Sequence, residues 1–338
     1  MRGATPPHSW YSREMRRTAS MPAAFFVLLA IGALALSGCQ SGGATSVLSD
    51  ARTGAVSAAN TWKGPQSGPL APFKEAQFRY RKPLDISDGG RFLKVPYDEL
   101  KDVNARDVIP VRKVRSWYVQ PLPAGSESEA EYGVAGRKHL YRAIGALTGG
   151  SKLTMIYVHG RGGSRDWGFD DERFGGNFNR LKNMMLAAGG AFVAPDFTDF
   201  EADGFAEIRA LVQKFRALTP GKLVVACGSM GNKHCWNLLS DPSTAKLVDG
   251  IVILSGFPDE RFLSSQTVVS SARHVPLVIG HGSWDPYYDH KQTLDMFRAL
   301  RAKSPDYPVR YLLFDTGKHG APVRMIDWRD TLNWIAAQ

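Results

Sequence analysis

Apolar residues fall into two alternating patterns along this chain. Short, mostly apolar runs at 153–158, 191–194, 223–226, 250–254, 276–280 and 309–314 predict strands, with 153–158 reading as one buried on both faces. Between them apolar positions recur at helical spacing. Phe205, Ile208, Leu211, Val212 and Phe215 mark 205–218, and similar patterns lie near 178–188, 231–240, 290–303 and 325–336. Strands alternating with helices predict a parallel, doubly wound sheet with right-handed crossovers. Upstream, 114–119 alternates well enough for a strand and 138–144 is a second candidate, with turn-rich 125–136 between them. Two early antiparallel strands before a parallel sheet fit that order. Residues 71–110 mix charge with isolated aromatics and predict irregular structure packed on the main domain. No internal repeat is apparent.

The start of the chain obeys other rules. Arg13, Arg16 and Arg17 precede fourteen apolar residues at 23–36. That run is too short to span a bilayer and fits the apolar region of a signal peptide. It ends in Leu36-Ser37-Gly38-Cys39, which resembles the lipobox of bacterial lipoproteins. The resemblance implies cleavage before Cys39, fatty acylation (palmitate or similar) of its thiol, and an exported protein anchored in the cell envelope and facing the periplasm. An ordinary signal peptide with an incidental cysteine is the alternative. Gln40 follows the anchor position, which favours outer-membrane sorting, since aspartate there marks inner-membrane retention in some bacteria. Met15-Arg16-Arg17 would also serve as a start. Residues 40–70 are rich in Gly, Ser, Ala and Thr, with Pro65 and Pro69, and read as a flexible tether. The expected organisation is therefore a signal peptide at 1–38, acylated Cys39 and tether at 39–70, an irregular extension at 71–109 and the α/β domain at 110–338.

Composition narrows the class further. The chain has 338 residues, 43% hydrophobic and 22% charged, which describes a globular protein with a core. The net charge of +10 falls by three to +7 once residues 1–38, with four arginines and Glu14, are removed. A basic body suits an anionic lipid surface. It could also serve solubility alone. No Lys/Arg run with interleaved aromatics suggests nucleic-acid binding. Beyond Cys39 only Cys227 and Cys235 remain. One ends a strand and the other lies in the next helix, so the expectation is two buried free thiols rather than a disulfide, although an oxidising compartment permits one.

The chemistry centres on 222–239. An apolar strand runs into Cys227-Gly228-Ser229-Met230-Gly231 and then into a helical pattern. So sharp a turn needs small residues two positions either side of the serine, and Gly231 and Cys227 stand there. The turn lifts the hydroxyl above the sheet edge, while the Met230 amide lies at a helix N-terminus with unsatisfied donors. A second turn, His159-Gly160-Arg161-Gly162-Gly163-Ser164, closes strand 153–158 and lacks the spacing of either phosphate-binding glycine loop. His281-Gly282-Ser283-Trp284-Asp285-Pro286 follows strand 276–280, and Asp315-Thr316-Gly317-Lys318-His319-Gly320 follows strand 309–314.

Taken together these segments resemble the α/β-hydrolase superfamily over about residues 110–338. Strand, small-x-Ser-x-Gly and helix match its nucleophile elbow, with Cys227 in place of the usual first glycine. The resemblance implies Ser229 as nucleophile, Asp285 as the acid that orients the base, and His319 as the base, in the superfamily's chain order. Asp289 is the reserve acid. It implies an oxyanion hole from the Arg161 and Met230 amides and no cofactor. Only about twenty residues separate strand 250–254 from strand 276–280, so no large cap is expected, as in compact carboxylesterases, thioesterase-like enzymes and small lipases. The expected activity is hydrolysis of esters with apolar or lipid-like acyl groups near the membrane. A thioesterase, peptidase or deacetylase on the same triad, or a non-catalytic binding protein, are the alternatives. Trp167, Phe169, Phe174, Phe257, Phe262, Trp284 and Tyr287 are candidates to ring the site, and Arg161 and Arg165 to hold an anionic group. His281, Asp285, Asp289 and His290 could be drawn as a metal cluster, but the hydrolase resemblance already uses that loop, and Asp166, Asp170, Asp171 and Glu172 as a calcium loop, but they lack EF-hand spacing and read as a solvated loop, so no metal is expected. His159 and His281 are expected to brace backbone. The oligomeric state is open.

Overall fold

The computed structural model describes residues 62, 64 and 66–338. The expected signal peptide, Cys39 and most of the expected tether lie outside the described residues. In chain order the strands are β1 (Asp85–Ser87), β2 (Phe92–Pro96), β3 (Asp107–Val108), β4 (Lys113–Val114), β5 (Glu127–Val134), β6 (Arg137–Gly145), β7 (Leu153–Val158), β8 (Ala191–Pro195), β9 (Lys222–Gly228), β10 (Gly250–Leu254), β11 (Leu277–Gly282) and β12 (Val309–Asp315). The helices are α1 (Glu75–Phe78), α2 (Asn177–Ala187), α3 (Ala202–Leu218), α4 (Asn232–Ser240), α5 (Pro242–Ala245), α6 (Gln266–Val269), α7 (His290–Lys303), α8 (Ala321–Met325) and α9 (Trp328–Ala336).

Ten strands form one sheet in the order β1-β2-β12-β11-β10-β9-β7-β8-β6-β5. The run from β8 through β12 to β2 is parallel, and β5, β6 and β1 join antiparallel. The apolar strands read as continuous because both faces are covered. Along β9, Val225 and Cys227 face one core with Phe215, Trp236 and Phe297, while Val224 and Ala226 face a second with Phe178, Trp328 and Leu332. Each such side chain contributes about 1.5–3 kcal/mol by leaving water.

Two expectations need correction. The strand paired with β6 is not 114–119. That stretch supplies only the last residues of a short hairpin and a 3-10 turn at Ser116–Tyr118. The partner is β5, inside the segment that looked turn-rich. As an edge strand it is paired on one side, so its charged residues reach water while the backbone still makes a ladder. Nor is 71–109 irregular throughout. β2 adds parallel to β12, and β1 pairs with β2, which extends the sheet beyond its last crossover strand. Leu93 and Val95 are buried there, alternating with half-buried neighbours. An added strand satisfies the open hydrogen-bonding edge of β12.

The segment from β10 to β11 holds a 3-10 turn at Glu260–Ser264 and the single-turn α6, so no large cap covers the sheet. No helix among the described residues is long and apolar enough to cross a membrane.

Candidate active site

Three loops at the carboxyl ends of β9, β11 and β12 converge. Ser229 follows β9 with φ of 51°, a left-handed conformation rare for a side-chain-bearing residue and the mark of the sharp turn. The packing explains the glycines around it. A Cβ on Gly231 would meet the His159 carbonyl oxygen at 2.6 Å, and one on Gly228 the Tyr157 hydroxyl at 2.8 Å. Gly160, in the loop after β7, backs directly onto the turn, since a Cβ there would lie 2.8 Å from the Ser229 Cβ.

The Ser229 Oγ lies 2.8 Å from His319 Nε2, and His319 Nδ1 lies 2.7 Å from Asp285 Oδ2. The other Asp285 oxygen accepts the amides of Tyr287 at 2.9 Å and Tyr288 at 3.3 Å. The Asp285 side chain is fully buried and that of His319 is 24% exposed. Burial works against ionisation of Asp285, but the His319 hydrogen bond and then the Tyr287 amide outweigh it, so its carboxyl is held below the usual carboxylate range. The Ser255 hydroxyl donates to the His319 carbonyl and fixes the base loop from beneath. This ordering places the serine hydroxyl against one nitrogen of an imidazole whose other nitrogen is held by a buried carboxylate.

Asp289 stands apart from this chain of contacts. It caps α7, its Oδ1 accepting the Lys291 amide at 3.0 Å. Met230 lies in the 3-10 turn Ser229–Gly231 that leads into α4, so its amide sits at the helix start. Arg161 is exposed in the loop that holds Gly160. Arg165 is not available to a substrate anion. It is engaged by Glu129 at 2.7 Å and by Asp196. Of the aromatic candidates, Phe169 and Phe262 are core residues, and Trp167 packs on Phe174. Trp284 and Tyr287, each 64% exposed, stand beside the acid, with the Tyr287 ring 5.0 Å from that of His319. His159 and His281 each contact the following carbonyl, and His281 also contacts the Gly256 carbonyl at 3.0 Å. Among the described residues no group of three or more His, Cys, Asp or Glu is placed to hold a metal.

Sequence reasoning missed two features. The first is covalent. Cys227 and Cys235 form a disulfide, with Cα atoms 6.2 Å apart, against the expectation of free thiols. The turn at Ser229 folds α4 back across β9, so residues on strand and helix face each other rather than diverging. The second is Tyr288. Its ring lies 5.7 Å from the His319 ring and 5.4 Å from Phe257. Its place three residues after Asp285 was the available signal, because Asp285 accepts both following tyrosine amides and so curls that loop back towards His319.

Strand order, crossover helices, elbow turn and loop placement define the α/β-hydrolase fold. No protein-family model and no curated protein matches the chain. Solved structures with a similar chain path include an esterase of Pyrococcus furiosus (16% identity, 64% of this chain and 95% of that one, TM-score 0.47). A feruloyl esterase module of Clostridium thermocellum is another (15% identity, 66% and 92%, TM-score 0.49). Esterase 2 of Thermogutta terrifontis is a third (14% identity, 63% and 93%, TM-score 0.43). Likenesses this distant say nothing of substrate.

Proposed function

We propose that the chain is a serine hydrolase of carboxylic esters. The observation that carries this reading is the continuous contact from Ser229 through His319 to buried Asp285. In the proposed reaction the Ser229 Oγ attacks the ester carbonyl as His319 Nε2 takes its proton. The oxyanion is held by the amides of Arg161 and Met230. His319 returns the proton to the leaving alcohol as its C–O bond breaks, leaving an acyl-enzyme. Water, deprotonated by the same imidazole, releases the acid. No cofactor is required. The same machinery would cleave a thioester, a peptide or a polysaccharide acetyl. An apolar acyl group is favoured here because Trp284, Tyr287 and Phe257 supply the uncovered or partly covered surface nearest the base.

Action at a membrane surface is part of the proposal, with Cys39 as the lipid anchor on an envelope-facing, exported protein. The Cys227–Cys235 disulfide supports export, since such bonds persist in oxidising compartments. The β3–β4 hairpin supports lipid contact. Its tip and flank expose Val108, Ile109, Val111 and Trp117, with Arg112 and Arg115 beside them. The hairpin is tied to the site's side of the sheet. Asp107 pairs with Arg324, five residues after His319, and the Val114 amide donates to Glu172 at 3.1 Å. Apolar tip and cations together suit an anionic bilayer.

The test is fluorophosphonate labelling and p-nitrophenyl ester turnover of the full chain beside Ser229→Ala. Labelling and turnover by the parent alone support the reading. An unlabelled, inactive parent refutes it. Sedimentation with phosphatidylglycerol vesicles should fall for Val111→Asp, and equal recovery of both proteins would sink the lipid-contact part.

A further inference from the structure

Ser229 is held between two arms. The strand arm is β9, which is paired on both sides as far as Cys227, with Val158 of β7 and Ile253 of β10 as neighbours. The helix arm is the first turn of α4, which carries Cys235. Between them the chain reverses through Ser229 at φ of 51°. A side-chain-bearing residue keeps that conformation only where its surroundings leave no alternative. Part of the constraint is packing, since a Cβ on Gly231 would meet the carbonyl oxygens of His159 at 2.6 Å and Val158 at 2.9 Å. The Cys227–Cys235 bond adds a covalent tie, joining the residue two before Ser229 to the residue six after it.

Both cysteines are fully buried, in the cluster that holds Val225, Trp236 and Ile253. Bonded sulfurs sit well inside the separation that two thiols can reach. In an interior of crystal-like density, two thiols at these positions push the end of β9 and the first turn of α4 apart. β9 is locked in its ladder between β7 and β10, so α4 moves, and the turn Ser229–Gly231 moves with it. His319 does not follow. It stands on the loop after β12, held by Asp285 at 2.7 Å and by the Ser255 hydroxyl at its carbonyl. The 2.8 Å contact between Ser229 Oγ and His319 Nε2 is therefore the one that opens. We propose that the Cys227–Cys235 bond is a positioning element for the nucleophile, so that the reduced chain is a folded but weakly active hydrolase and forming the bond completes the site. This rests on the ester-hydrolase reading above. The bond forms by exchange with a disulfide-bearing oxidant. One cysteine thiolate attacks a sulfur of the oxidant, whose other half leaves as a thiol. The second thiolate attacks the mixed disulfide and releases the rest as a second thiol. Two electrons pass to the oxidant, and the two cysteine protons end on its thiols. The chain thus stays weakly active wherever thiols are kept reduced and gains full activity in an oxidising compartment. Burial then shields the finished bond from reductant while the protein is folded.

The experiment refolds the full chain from denaturant with and without oxidised glutathione. The two forms are compared with the double variant Cys227→Ala/Cys235→Ala and with Ser229→Ala. Thiol titration of the denatured proteins reports whether the bond is present, and thermal melting reports whether each form is folded at the assay temperature. The readouts are the rate of fluorophosphonate labelling and, on p-nitrophenyl esters, kcat and KM separately. The expected result is labelling and kcat on the order of 10²-fold lower in the reduced form, KM nearly unchanged, and recovery on reoxidation. The double variant lacks the tie but also the crowding, and should fall between the two, roughly tenfold below the oxidised form. A folded reduced form within about threefold of the oxidised one would make the bond a stability device alone and overturn the proposal. A rise in KM alone, or a loss that reoxidation does not restore, would do the same. If the reduced form does not fold, the double variant decides. A folded variant labelled within about threefold of the oxidised parent overturns the proposal, and a slower one upholds it. Failure of both to fold also overturns it, since the bond then serves folding alone. An oxidised parent that turns over esters while Ser229→Ala does not upholds the hydrolase reading in each of these cases. An oxidised parent that is unlabelled and inactive on every ester removes both.

Discussion

Cys227 and Cys235 are bonded to each other across the turn that carries Ser229. The bond joins the end of strand β9 to the first turn of α4, so both arms of the strained Ser229 conformation are fastened. Both cysteines are fully buried in the core that also holds Trp236. The replacement of the usual small glycine by Cys227 is thus a change of means, from a side chain that takes no space to one that is covalently committed. Converting both cysteines to alanine should lower stability on the order of 2 kcal/mol, by freeing a short loop in the unfolded chain. Thermal melts with and without reductant check this. The variant should be indifferent to reductant, while the parent shifts towards it.

Asp285→Asn should leave the fold and fluorophosphonate binding pocket intact and lower kcat on the order of 10⁴-fold. The carboxylate fixes which nitrogen of His319 carries the proton, through a 2.7 Å contact to Nδ1. An amide there can present a donor instead, which leaves Nε2 unable to accept from Ser229. Steady-state kinetics against Asp289→Asn make the comparison. The latter keeps a helix-capping oxygen, since asparagine caps about as well as aspartate, and should leave both stability and activity nearly unchanged.

Gly160→Ala should lower activity on the order of 10²-fold without unfolding the protein. Its new methyl would meet the Ser229 Cβ at 2.8 Å and the Gly228 carbonyl oxygen at 3.0 Å. Neither is a flexible side-chain end, so the elbow or the glycine loop must shift, and the geometry of attack shifts with it. The rate of fluorophosphonate labelling measures the effect directly. An unchanged rate would show that the loop can retreat freely.

Acid should destabilise the protein through His234. Burial depresses its pKa to about 4, and the Asp199 carbonyl it contacts at 3.0 Å offsets this only in part. The folded state then binds the proton less tightly than the unfolded chain, whose imidazole titrates near 6.5. The stability from His234 is present above that pH and is lost as pH falls towards 4, amounting to about 3 kcal/mol. Denaturant unfolding at several pH values should show a shallower acid loss in His234→Gln than in the parent. His159 and His281 are shifted in the same direction by burial, so part of the slope should remain.

The central strands were readable from the sequence because burial on both faces leaves a mostly apolar run, as in β8 and β10, interrupted in β12 by Arg310, which pairs with Asp330. The edges were not. β5 reads Glu-Ser-Glu-Ala-Glu-Tyr-Gly-Val, which carries too little apolar signal to separate from a loop, and β2 sits amid charged residues. What makes them strands is a partner already in place, β6 for one and β12 for the other.

The same division holds at the site. Ser229, Asp285 and His319 could be singled out because each follows a buried strand, and such strands in a parallel sheet end on one side. That order is local and one-dimensional. Whether the three meet within hydrogen-bonding distance depends on the sheet order, which sets β9, β10, β11 and β12 side by side although 90 residues separate Ser229 from His319. The disulfide and the place of the Tyr288 ring beside His319 belong to the tertiary structure as well. A cysteine's partner and a ring's neighbours are fixed by how sharply a turn reverses and how a loop curls around a buried carboxylate, and neither leaves a periodic trace in the chain. The sequence by itself determined which strands are buried and which residues stand at their ends. Tertiary structure decided which of those residues touch, because contact depends on strand adjacency and loop direction rather than on spacing along the chain.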